Sequence, residues 1–332
     1  MTINDPVTAD PCLLCGDTGR HVVETMGRGF KPLVTVACDG CGLVSHHPLP
    51  DPAALEAFYA ERYRLSYKGA LTPKPKHSLR AQRGAALRAR RLAALIPAGA
   101  RVLDVGASSG EFVFAMQRSG FRATGLEPNR GYAQFAVATY GVEIVNRPVG
   151  QDAFGPGTFD LIHINHVLEH LADPLAALGW LRHWLTPDGL VFVEVPNLEG
   201  VRKQRATLFH DAHIWNFTPQ TLIALAAKAG LAPIAGEDLS GTSLVFARSQ
   251  PVAAPAVDPN HAAAIRRQLA TEQSATAYVT SGAAFGRRWR RLMRNIDELA
   301  TVRRYPSIRA MGEAVVDAAG IRAGAKPLDK AA

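Results

Sequence analysis

Four cysteines stand in two tight pairs near the start of the 332-residue chain, Cys12-x2-Cys15 and Cys38-x2-Cys41. A pair with this spacing can point two thiolates at one centre, and two pairs complete the tetrahedral sulfur site that Zn²⁺ prefers. A glycine follows each pair and lets the backbone turn tightly beneath a metal. The sequence therefore predicts a closed, structural zinc site rather than a redox dithiol. Thiolates held by a metal are typical of a reducing compartment, so we expect a cytoplasmic protein.

A second pattern indicates a nucleoside-type ligand. The apolar stretch Val102–Val105 leads into the loop Gly106-Ala-Ser-Ser-Gly110, whose small residues let a ligand approach the backbone. Glu127 follows 17 residues after Gly110, where a carboxylate can bind ribose hydroxyls. The glycine spacing differs from the dinucleotide fingerprint, and Asp104 would repel a pyrophosphate but attract an ammonium and a sulfonium. S-adenosylmethionine carries both of these cations and a ribose.

With these residues the chain resembles the class I S-adenosylmethionine-dependent methyltransferases over about residues 98–248. The stretches that carry the resemblance are Asp104-x-Gly106-x-x-x-Gly110, Gly125-Leu-Glu-Pro-Asn129, Phe159–His170 and Leu190–Asn197. The site residues that it implies are Asp104, Gly106, Ser108 and Gly110 around the methionine moiety, Glu127 at the ribose, Asp152 beside the adenine, and Asn165 and His166 at the methyl group. Ser108 is a departure, because the family often has glycine there.

The loops after the fourth and fifth strands indicate which kind of molecule accepts the methyl group. Asn165–His170 lacks the Asn/Asp-Pro-Pro-aromatic motif of enzymes that methylate base amines, and no cysteine remains for C5-methylation of pyrimidines. The cysteine pairs, Leu55–Tyr59 with Tyr63, and Phe209–Pro219 look like bacterial zinc-ribbon methyltransferases. That group includes nucleotide-sugar C-methyltransferases and enzymes of polysaccharide or natural-product pathways. The resemblance implies an acidic small-molecule acceptor: a sugar, a nucleotide-sugar, or a glycan or natural-product intermediate.

His213 is the predicted general base. An unperturbed histidine pKa of about 6.5 suits proton abstraction near neutrality, and the loop after the fifth strand lies at the ligand-binding edge of such sheets. Sugar C-methyltransferases carry a Glu-His pair where this chain has Ala212-His213, so O-methylation fits at least as well as C-methylation. Roles in orienting the substrate or in packing stay open for His213. His166 and Tyr63 are the further candidate catalytic residues.

The formal charge of +8 is unevenly distributed: −5 over residues 1–61, +10 over 62–91, −3 over 92–250 and +6 over 251–332. The basic segments are either solvated helix faces or attract an acidic partner, such as a diphosphate. The first alternative is an RNA methyltransferase that binds nucleic acid with the zinc ribbon and the basic segments. A ribbon that binds RNA should be basic, whereas residues 1–61 carry a net charge of −5. The second alternative is a non-catalytic scaffold that binds S-adenosylmethionine, although a decayed site should lose its acids first.

A covered, mostly parallel sheet must position these residues. Strand and helix patterns alternate between residues 101 and 248 and predict an α/β fold, a Rossmann-like seven-stranded methyltransferase sheet with an N-terminal zinc ribbon and a helical C-terminal extension. The predicted strands are Arg101–Val105, Ala123–Glu127, Val142–Val145, Phe159–Ile164, Leu190–Val195, Ala232–Glu237 and Ser243–Ala247. Before the sheet, an amphipathic helix is predicted with Leu79, Leu87, Leu92 and Ile96 as apolar anchors.

Four segments follow from this division of the chain. They are a zinc ribbon (1–50), a helical lid or linker (51–97), an S-adenosylmethionine-binding domain (98–250), and a linker with an Arg-rich helical extension (251–332). No apolar run reaches the ~18 residues of a membrane span. The oligomeric state has no signature in the sequence.

Overall fold

A computed structural model describes residues 1–57, 72–199, 208–234, 243–253, 255, 257–271 and 282–324. Packing divides the chain into two compact units. The first unit consists of Met1–Pro52, Asn165–Arg182 and Phe192–Gly286, and the second of Ala53–Ile164, His183–Val191 and Arg287–Ala332. The segment boundaries predicted after residues 50, 97 and 250 remain predictions.

An antiparallel sheet of five strands belongs to the first unit. In spatial order the strands are β1 (Pro6–Thr8), β2 (Gly19–Gly27), β3 (Lys31–Cys38), β4 (Val44–His46) and β10 (Trp215–Asn216). The last strand comes from a distant part of the chain, with Trp215 opposite Ser45 and Asn216 opposite Val44. The sheet therefore depends on the loop that carries His213, because β10 follows that loop directly.

The second sheet has seven strands in the order β11-β12-β9-β8-β5-β6-β7. Their bounds are β5 (Arg101–Val105), β6 (Arg122–Leu126), β7 (Glu143–Val145), β8 (Phe159–Asn165), β9 (Leu185–Glu194), β11 (Leu231–Pro233) and β12 (Ser243–Arg248). The pairs β5/β6, β5/β8 and β6/β7 are parallel, whereas β11/β12 is antiparallel. Near-continuous apolar runs in β5 and β8 are buried, as parallel strands covered on both faces require. The predicted α/β class and the seven-stranded sheet are confirmed.

The strand bounds differ from the prediction mainly at two places. β9 begins at Leu185 instead of Leu190, and β11 ends at Pro233, with residues 235–242 outside the described part of the chain. Proline at the end of β11 fits an edge strand, because it cannot donate a ladder hydrogen bond.

Nine helices of at least six residues occur within the described residues. They are α1 (Pro52–Ala57), α2 (Pro75–Ala93), α3 (Glu111–Arg118), α4 (Arg130–Tyr140), α5 (Pro174–Trp184), α6 (Pro219–Lys228), α7 (His261–Thr271), α8 (Gly282–Val302) and α9 (Ile308–Ala319). Local caps explain several of these starts: the Asn129 side chain accepts from Tyr132 N, and Thr218 and Thr221 form a reciprocal capping box. None of the described helices combines the length and apolar character needed to cross a membrane.

The buried face of α2 consists mostly of small residues. Leu79, Leu92 and Ile96 are buried as predicted, but the anchor predicted at Leu87 is wrong, because that side chain is 70% exposed. Alanines fill much of the buried face and let α2 pack closely against α3 and α9. Gln82 joins this interface, since its Nε2 donates to Tyr140 Oη (2.9 Å) and to the Ile308 carbonyl (2.8 Å).

Candidate functional site

The four cysteines of the first unit converge on one point. Sγ of Cys12 lies 3.7 Å from Sγ of Cys41, and Sγ of Cys15 lies 3.5 Å from Sγ of Cys38. All four sulfur atoms lie within 4.8 Å of one another, and no disulfide joins them. A tetrahedron of sulfurs around zinc, with Zn–S bonds of about 2.3 Å, has edges of about 3.8 Å. The spacing of the sulfurs therefore fits a zinc ion at their centre.

Two matching turns produce this convergence. Gly16 N donates to the Cys12 carbonyl (2.8 Å), and Gly42 N donates to the Cys38 carbonyl (2.9 Å). Both glycines have left-handed φ angles, +80° for Gly16 and +74° for Gly42. This conformation is the reason that each cysteine pair is followed by glycine.

The electrostatics of the cluster also call for a cation. Hydrogen bonds from Cys38 and Cys41 lower the pKa of Cys12 to about 2, whereas burial raises the pKa of the Cys15 thiol to about 11. The neighbouring Cys12 raises the pKa of Cys41 well above its usual range. Without a metal the cluster therefore stabilises one thiolate, and the raised pKa values of Cys15 and Cys41 oppose the loss of further protons. A divalent cation would be required to hold all four cysteines as thiolates.

Two cationic side chains support the cysteine cluster. Arg20, which is buried, directs Nη1 at Cys38 Sγ (3.5 Å) and at the carbonyls of Asp17 (2.7 Å) and Gly19 (2.8 Å). Lys228 Nζ donates to the carbonyls of Leu13 (2.7 Å) and Leu14 (3.2 Å), inside the first turn. These cations favour thiolate charge and fix the turn that carries Cys12 and Cys15.

The predicted ligand loop of the second unit is a tight turn between β5 and α3. Gly106, Ser108 and Gly110 all have left-handed φ angles of +72°, +52° and +84°. The backbone N–H groups of Gly106 and Ala107 donate to the Leu126 carbonyl at 2.7 and 3.0 Å, which attaches the loop to β6. A Cβ on Gly110 would come within 2.7 Å of Ala136 Cβ, so this position requires glycine.

Glu127 is buried and bound to the loop. Its Oε2 accepts a hydrogen bond from Ser108 N (2.7 Å), and its Oε1 accepts one from Asn129 N (2.9 Å). Asn146 Nδ2 donates to the Glu127 carbonyl (2.7 Å) and holds the end of β6 in place. Two backbone donors therefore fix the orientation of the carboxylate that is predicted to bind a ribose. A carboxylate oxygen can accept more than one hydrogen bond, so this geometry is compatible with that role.

Asp104 is also buried, and its partner is a histidine on the neighbouring strand. His163 Nδ1 lies 2.6 Å from Asp104 Oδ1, and the two residues stand opposite each other in the β5/β8 register. The Phe112 ring stacks on the imidazole with a centroid separation of 3.8 Å. On the far side, Arg88 Nε donates to His163 Nε2 (3.2 Å). Asp104 is thus oriented by the buried His163, which the half-buried Arg88 holds in turn.

Asp152 lies in a surface turn, Gln151–Ala153, rather than in a buried position. Its carboxylate is 80% exposed and pairs with Arg147 Nη2 at 2.8 Å. The hydrogen bond from Arg147 lowers the pKa of Asp152. A role beside an adenine remains a prediction for this residue.

Asn165 is the last residue of β8 and His166 follows it, at the point where the chain enters the first unit. The buried Oδ1 of Asn165 has no hydrogen-bond partner among the described residues. His166 adopts a left-handed φ of +53°, which is strained for a residue with a side chain. Its Nδ1 lies 3.3 Å from Glu169 Oε1, and its Nε2 lies 3.7 Å from Glu194 Oε1.

His213 belongs to a cluster of the first unit that we call the histidine cluster. Its members are His166, Glu169, His170, His210 and His213. The His213 ring packs against His210 (centroids 3.7 Å apart) and His170 (4.9 Å), and its Nε2 lies 3.9 Å from Glu169 Oε1. Burial lowers the pKa of His213 to about 2 and that of His210 to about 4. His213 is therefore neutral at physiological pH, with a carboxylate nearby that can stabilise its protonated form.

Two further interactions shape the histidine cluster. His170 Nδ1 donates to the Ala212 carbonyl (2.6 Å), since a carbonyl can only accept. His210 Nδ1 accepts from Ala212 N (3.1 Å). Glu169 is 1% exposed, and its Oε2 has no hydrogen-bond partner in the described part of the chain. The loop that carries His213 is thus held by the side chains on either side of it.

Comparison with known proteins identifies the central part of the chain. Residues 78–235 match a family model described as a methyltransferase domain. The chain carries a methyltransferase domain.

Two curated relatives of the methyltransferase domain have different named reactions. The chain is 28% identical to the C-methyltransferase NovU of Streptomyces niveus over 279 residues, which cover 81% of this chain and 63% of that protein. It is 36% identical to the ubiquinone biosynthesis O-methyltransferase of Caulobacter sp. strain K31 over 105 residues, 30% of this chain and 42% of that protein. The chain therefore spans less than two thirds of the length of either relative.

Among solved structures, the chain is similar to the Burkholderia thailandensis 1,6-didemethyltoxoflavin-N1-methyltransferase, which contains 1,6-didemethyltoxoflavin and S-adenosylhomocysteine. The match has a TM-score of 0.45 at 20% identity and covers 63% of this chain and 96% of that one.

Sequence reasoning missed several polar residues of the methyltransferase domain. His163 was not recognised as the partner of Asp104, nor Arg88 as the partner of His163. Glu169 and His210 were not recognised as neighbours of His213. The position of His163 directly opposite Asp104 would have shown the first pair, but that signal requires the strand register. Tyr63, the remaining catalytic candidate, lies outside the described residues.

Proposed function

We propose that this protein is an S-adenosylmethionine-dependent methyltransferase that acts on a small acidic molecule. The glycine loop carries the proposal, because it combines three left-handed residues with two oriented carboxylates, Asp104 and Glu127. S-adenosylmethionine would supply an activated methyl group beside an ammonium and a sulfonium. Asp104 would favour that pair of cations, and Glu127 would bind the ribose hydroxyls.

His213 is our candidate for the general base. It would accept the proton that the acceptor loses when its oxygen or carbon is methylated. Its ring is neutral and can take up a proton. Because burial lowers its pKa to about 2, the role also requires Glu169, 3.9 Å away, to stabilise the imidazolium that results. His166 would help to position the acceptor, because its side chain is half exposed and its strained backbone resembles that of many functional residues. Asn165 would border the methyl group.

The four-cysteine cluster would hold a structural Zn²⁺ ion. All four positions are sulfur, so the shell leaves no place for a substrate. Reducing conditions keep such thiols available for metal, which is why we place the reaction in the cytoplasm. The ion would stabilise the first unit and take no part in methyl transfer.

The acceptor class in this proposal is a sugar, a nucleotide-sugar, or a glycan or natural-product intermediate. The names of the two curated relatives support a small-molecule acceptor and leave both O- and C-methylation open. RNA is the competing acceptor, and the charge distribution disfavours it. Arg80 and Arg83 of the basic segment pair with Glu298 and Asp297, and Arg88 donates to the buried His163. These three arginines are already engaged within the second unit.

A labelling experiment tests the proposal. The zinc-loaded protein is incubated with methyl-labelled S-adenosylmethionine and a host lysate, with and without ribonuclease. We expect label in a nuclease-resistant, acidic small-molecule fraction. Label in RNA that ribonuclease abolishes would contradict the acceptor class. Tight cofactor binding without any labelled product over a panel of lysates and sugar nucleotides would favour a non-catalytic scaffold.

A further inference from the structure

Helix α8 is attached to the second unit by its polar face. Arg80 of α2 forms a two-pronged ion pair with Glu298, with Nε to Oε1 at 2.9 Å and Nη2 to Oε2 at 2.6 Å. Arg83, one turn further along α2, reaches Asp297 at 3.1 Å. Glu298 is 2% exposed, so this ion pair is sheltered from water on its acidic side. Bidentate pairs of this kind fix the rotation of a helix about its axis as well as its position.

Because the polar face points inward, the apolar face points outward. Five large apolar side chains of α8 are between 48% and 56% exposed, and they are Trp289, Leu292, Met293, Ile296 and Leu299. Their spacing of three or four residues, or one, places them along one side of the helix. We call this row the apolar stripe of α8. Single exposed apolar residues are common, but a contiguous row of five marks a surface that contacts another phase or partner.

The charges beside the stripe select the kind of partner. Helix α8 contains five arginines and two acids. Both acids pair with α2, and Arg294 Nε also lies 3.9 Å from Glu298 Oε1, so the exposed side chains of Arg290 and Arg291 leave a positive potential around the stripe. Two copies of α8 packed stripe to stripe would bring the exposed arginines beside each stripe towards those of the other copy, which repel them. A polyanionic chain such as RNA would match the arginines but would leave the four aliphatic side chains of the stripe in water.

We propose that α8 is a docking surface for an anionic lipid bilayer. A helix with arginines beside a row of Trp, Leu, Met and Ile has the composition of interfacial helices, which lie in the plane of the membrane and bury their apolar face among the acyl chains. Tryptophan is preferred at this depth, where its ring is apolar and its N–H remains hydrated. The arginines add attraction to acidic headgroups. This attachment is peripheral and independent of the methyl-transfer reaction.

Vesicle co-sedimentation of the full chain tests the proposal. We expect binding to vesicles of phosphatidylcholine mixed with phosphatidylglycerol, little binding to phosphatidylcholine alone, and loss of binding at high salt. The double variant Leu292→Asp/Ile296→Asp should bind at least about tenfold more weakly, since each buried aliphatic side chain contributes substantially. Removing one exposed arginine, as in Arg290→Gln, should weaken binding about fivefold. Leu87→Asp is the control, because Leu87 is a leucine of the same unit that is even more exposed (70%) and lies on α2, away from the stripe.

Several results would overturn the proposal. Equal vesicle binding by the double variant and the wild type would show that the stripe does not contact the membrane. Equal binding to charged and uncharged vesicles would show that the arginines do not contribute. Failure to bind any vesicle while wild-type protein forms a dimer that Leu292→Asp/Ile296→Asp dissociates would assign the stripe to a second copy. Salt-dependent RNA binding lost in the same variant, without lipid binding, would assign it to nucleic acid. Unchanged thermal unfolding of the variants confirms that these comparisons involve folded protein.

Discussion

His163 donates its Nδ1 proton to Asp104 across 2.6 Å in the interior of the methyltransferase domain. The tautomer follows from the partner on the other side of the ring. Arg88 can only donate, so the His163 Nε2 that it reaches at 3.2 Å must carry a lone pair, and the ring proton must sit on Nδ1. Neutral His163 thus lies between the guanidinium of Arg88 and the carboxylate of Asp104. Its hydrogen bond fixes that carboxylate, which precedes the glycine loop.

The first prediction concerns this pair. His163→Leu should weaken S-adenosylhomocysteine binding by roughly 10- to 100-fold, because Asp104 loses a charge-assisted hydrogen bond in a buried place. His163→Asn should restore much of the affinity, since its amide can donate from a similar position. Isothermal titration calorimetry checks both. His183→Leu, at an exposed histidine, is the control. Equal affinities of the Leu and Asn variants would show that His163 only fills space.

The second prediction concerns the cysteine cluster. We expect one zinc ion per chain by elemental analysis, and Cys15→Ser should lose most of it, because three thiolates and a hydroxyl bind zinc far more weakly. Thermal unfolding should shift to lower temperature both in this variant and after treatment with a strong chelator. Re-addition of zinc should reverse the second effect only. A metal-free protein with unchanged unfolding would contradict the structural role.

The third prediction tests His213. His213→Ala should keep its affinity for S-adenosylhomocysteine and lose roughly 10²- to 10⁴-fold in turnover on the true acceptor, which is the range for a general base. His183→Ala should behave as wild type. Near wild-type turnover of His213→Ala would refute the role.

The pH profile gives an independent check on His213. Burial lowers its pKa to about 2, so the base stays unprotonated throughout the range in which the protein is folded. Activity at low acceptor concentration should therefore show no acid limb with a midpoint near 6.5. Such a limb in the wild type would mean that another group is the base or that His213 becomes solvated when substrate binds.

The fourth prediction concerns stability in acid. Burial lowers the pKa of His210 to about 4, whereas the unfolded chain takes up that proton near pH 6.5. The unfolded state then binds more protons, so the free energy of unfolding falls as pH drops from about 6.5 towards 4, by up to about 1.4 kcal/mol per pH unit for each such histidine. Chemical unfolding at a series of pH values measures the slope.

His210→Asn separates this effect from loss of metal. Its Oδ1 can accept the Ala212 N–H as His210 Nδ1 does, but it does not titrate. The variant should lose stability less steeply on acidification than the wild type. Parallel curves would show that His210 does not contribute.

The fifth prediction concerns the strained serine of the loop. Ser108→Gly should raise the free energy of unfolding by about 1 kcal/mol, because a left-handed φ of +52° costs a residue with a side chain more than it costs glycine. Ser109→Gly is the matched control. The Ser109 hydroxyl donates to both carboxylate oxygens of the buried Glu111 at 2.7 and 2.8 Å, so that variant should lose about 1–3 kcal/mol. Chemical unfolding measures both variants. If Ser108→Gly and Ser109→Gly changed the free energy of unfolding equally, backbone strain at Ser108 would be contradicted.

The alternation of apolar strands and helices made the seven-stranded sheet predictable, and glycine placement made both cysteine turns predictable. Side-chain partnerships across strands were not predictable, because His163 meets Asp104 only through the β5/β8 register. The error at Leu87 has a related cause. Helical spacing alone marks leucines as core, whereas the interface of α2 with its neighbours is built from alanines that bring the helices close together. The spacing of apolar residues indicates that one face of a helix is buried. It does not indicate how closely the neighbouring helix packs against that face.

The pairing of β10 with β4 has a consequence for the order in which the chain is made. Trp215 lies 170 positions after its partner Ser45, so the N-terminal sheet lacks its last strand until most of the methyltransferase domain has been synthesised. At ribosomal rates this delay is roughly 10–30 s. During that time β4 is an open edge next to the cysteine cluster for which we propose zinc binding. Early metal capture would protect the nascent segment from mispairing, so zinc supply during translation should govern the yield of folded protein more strongly than zinc added afterwards.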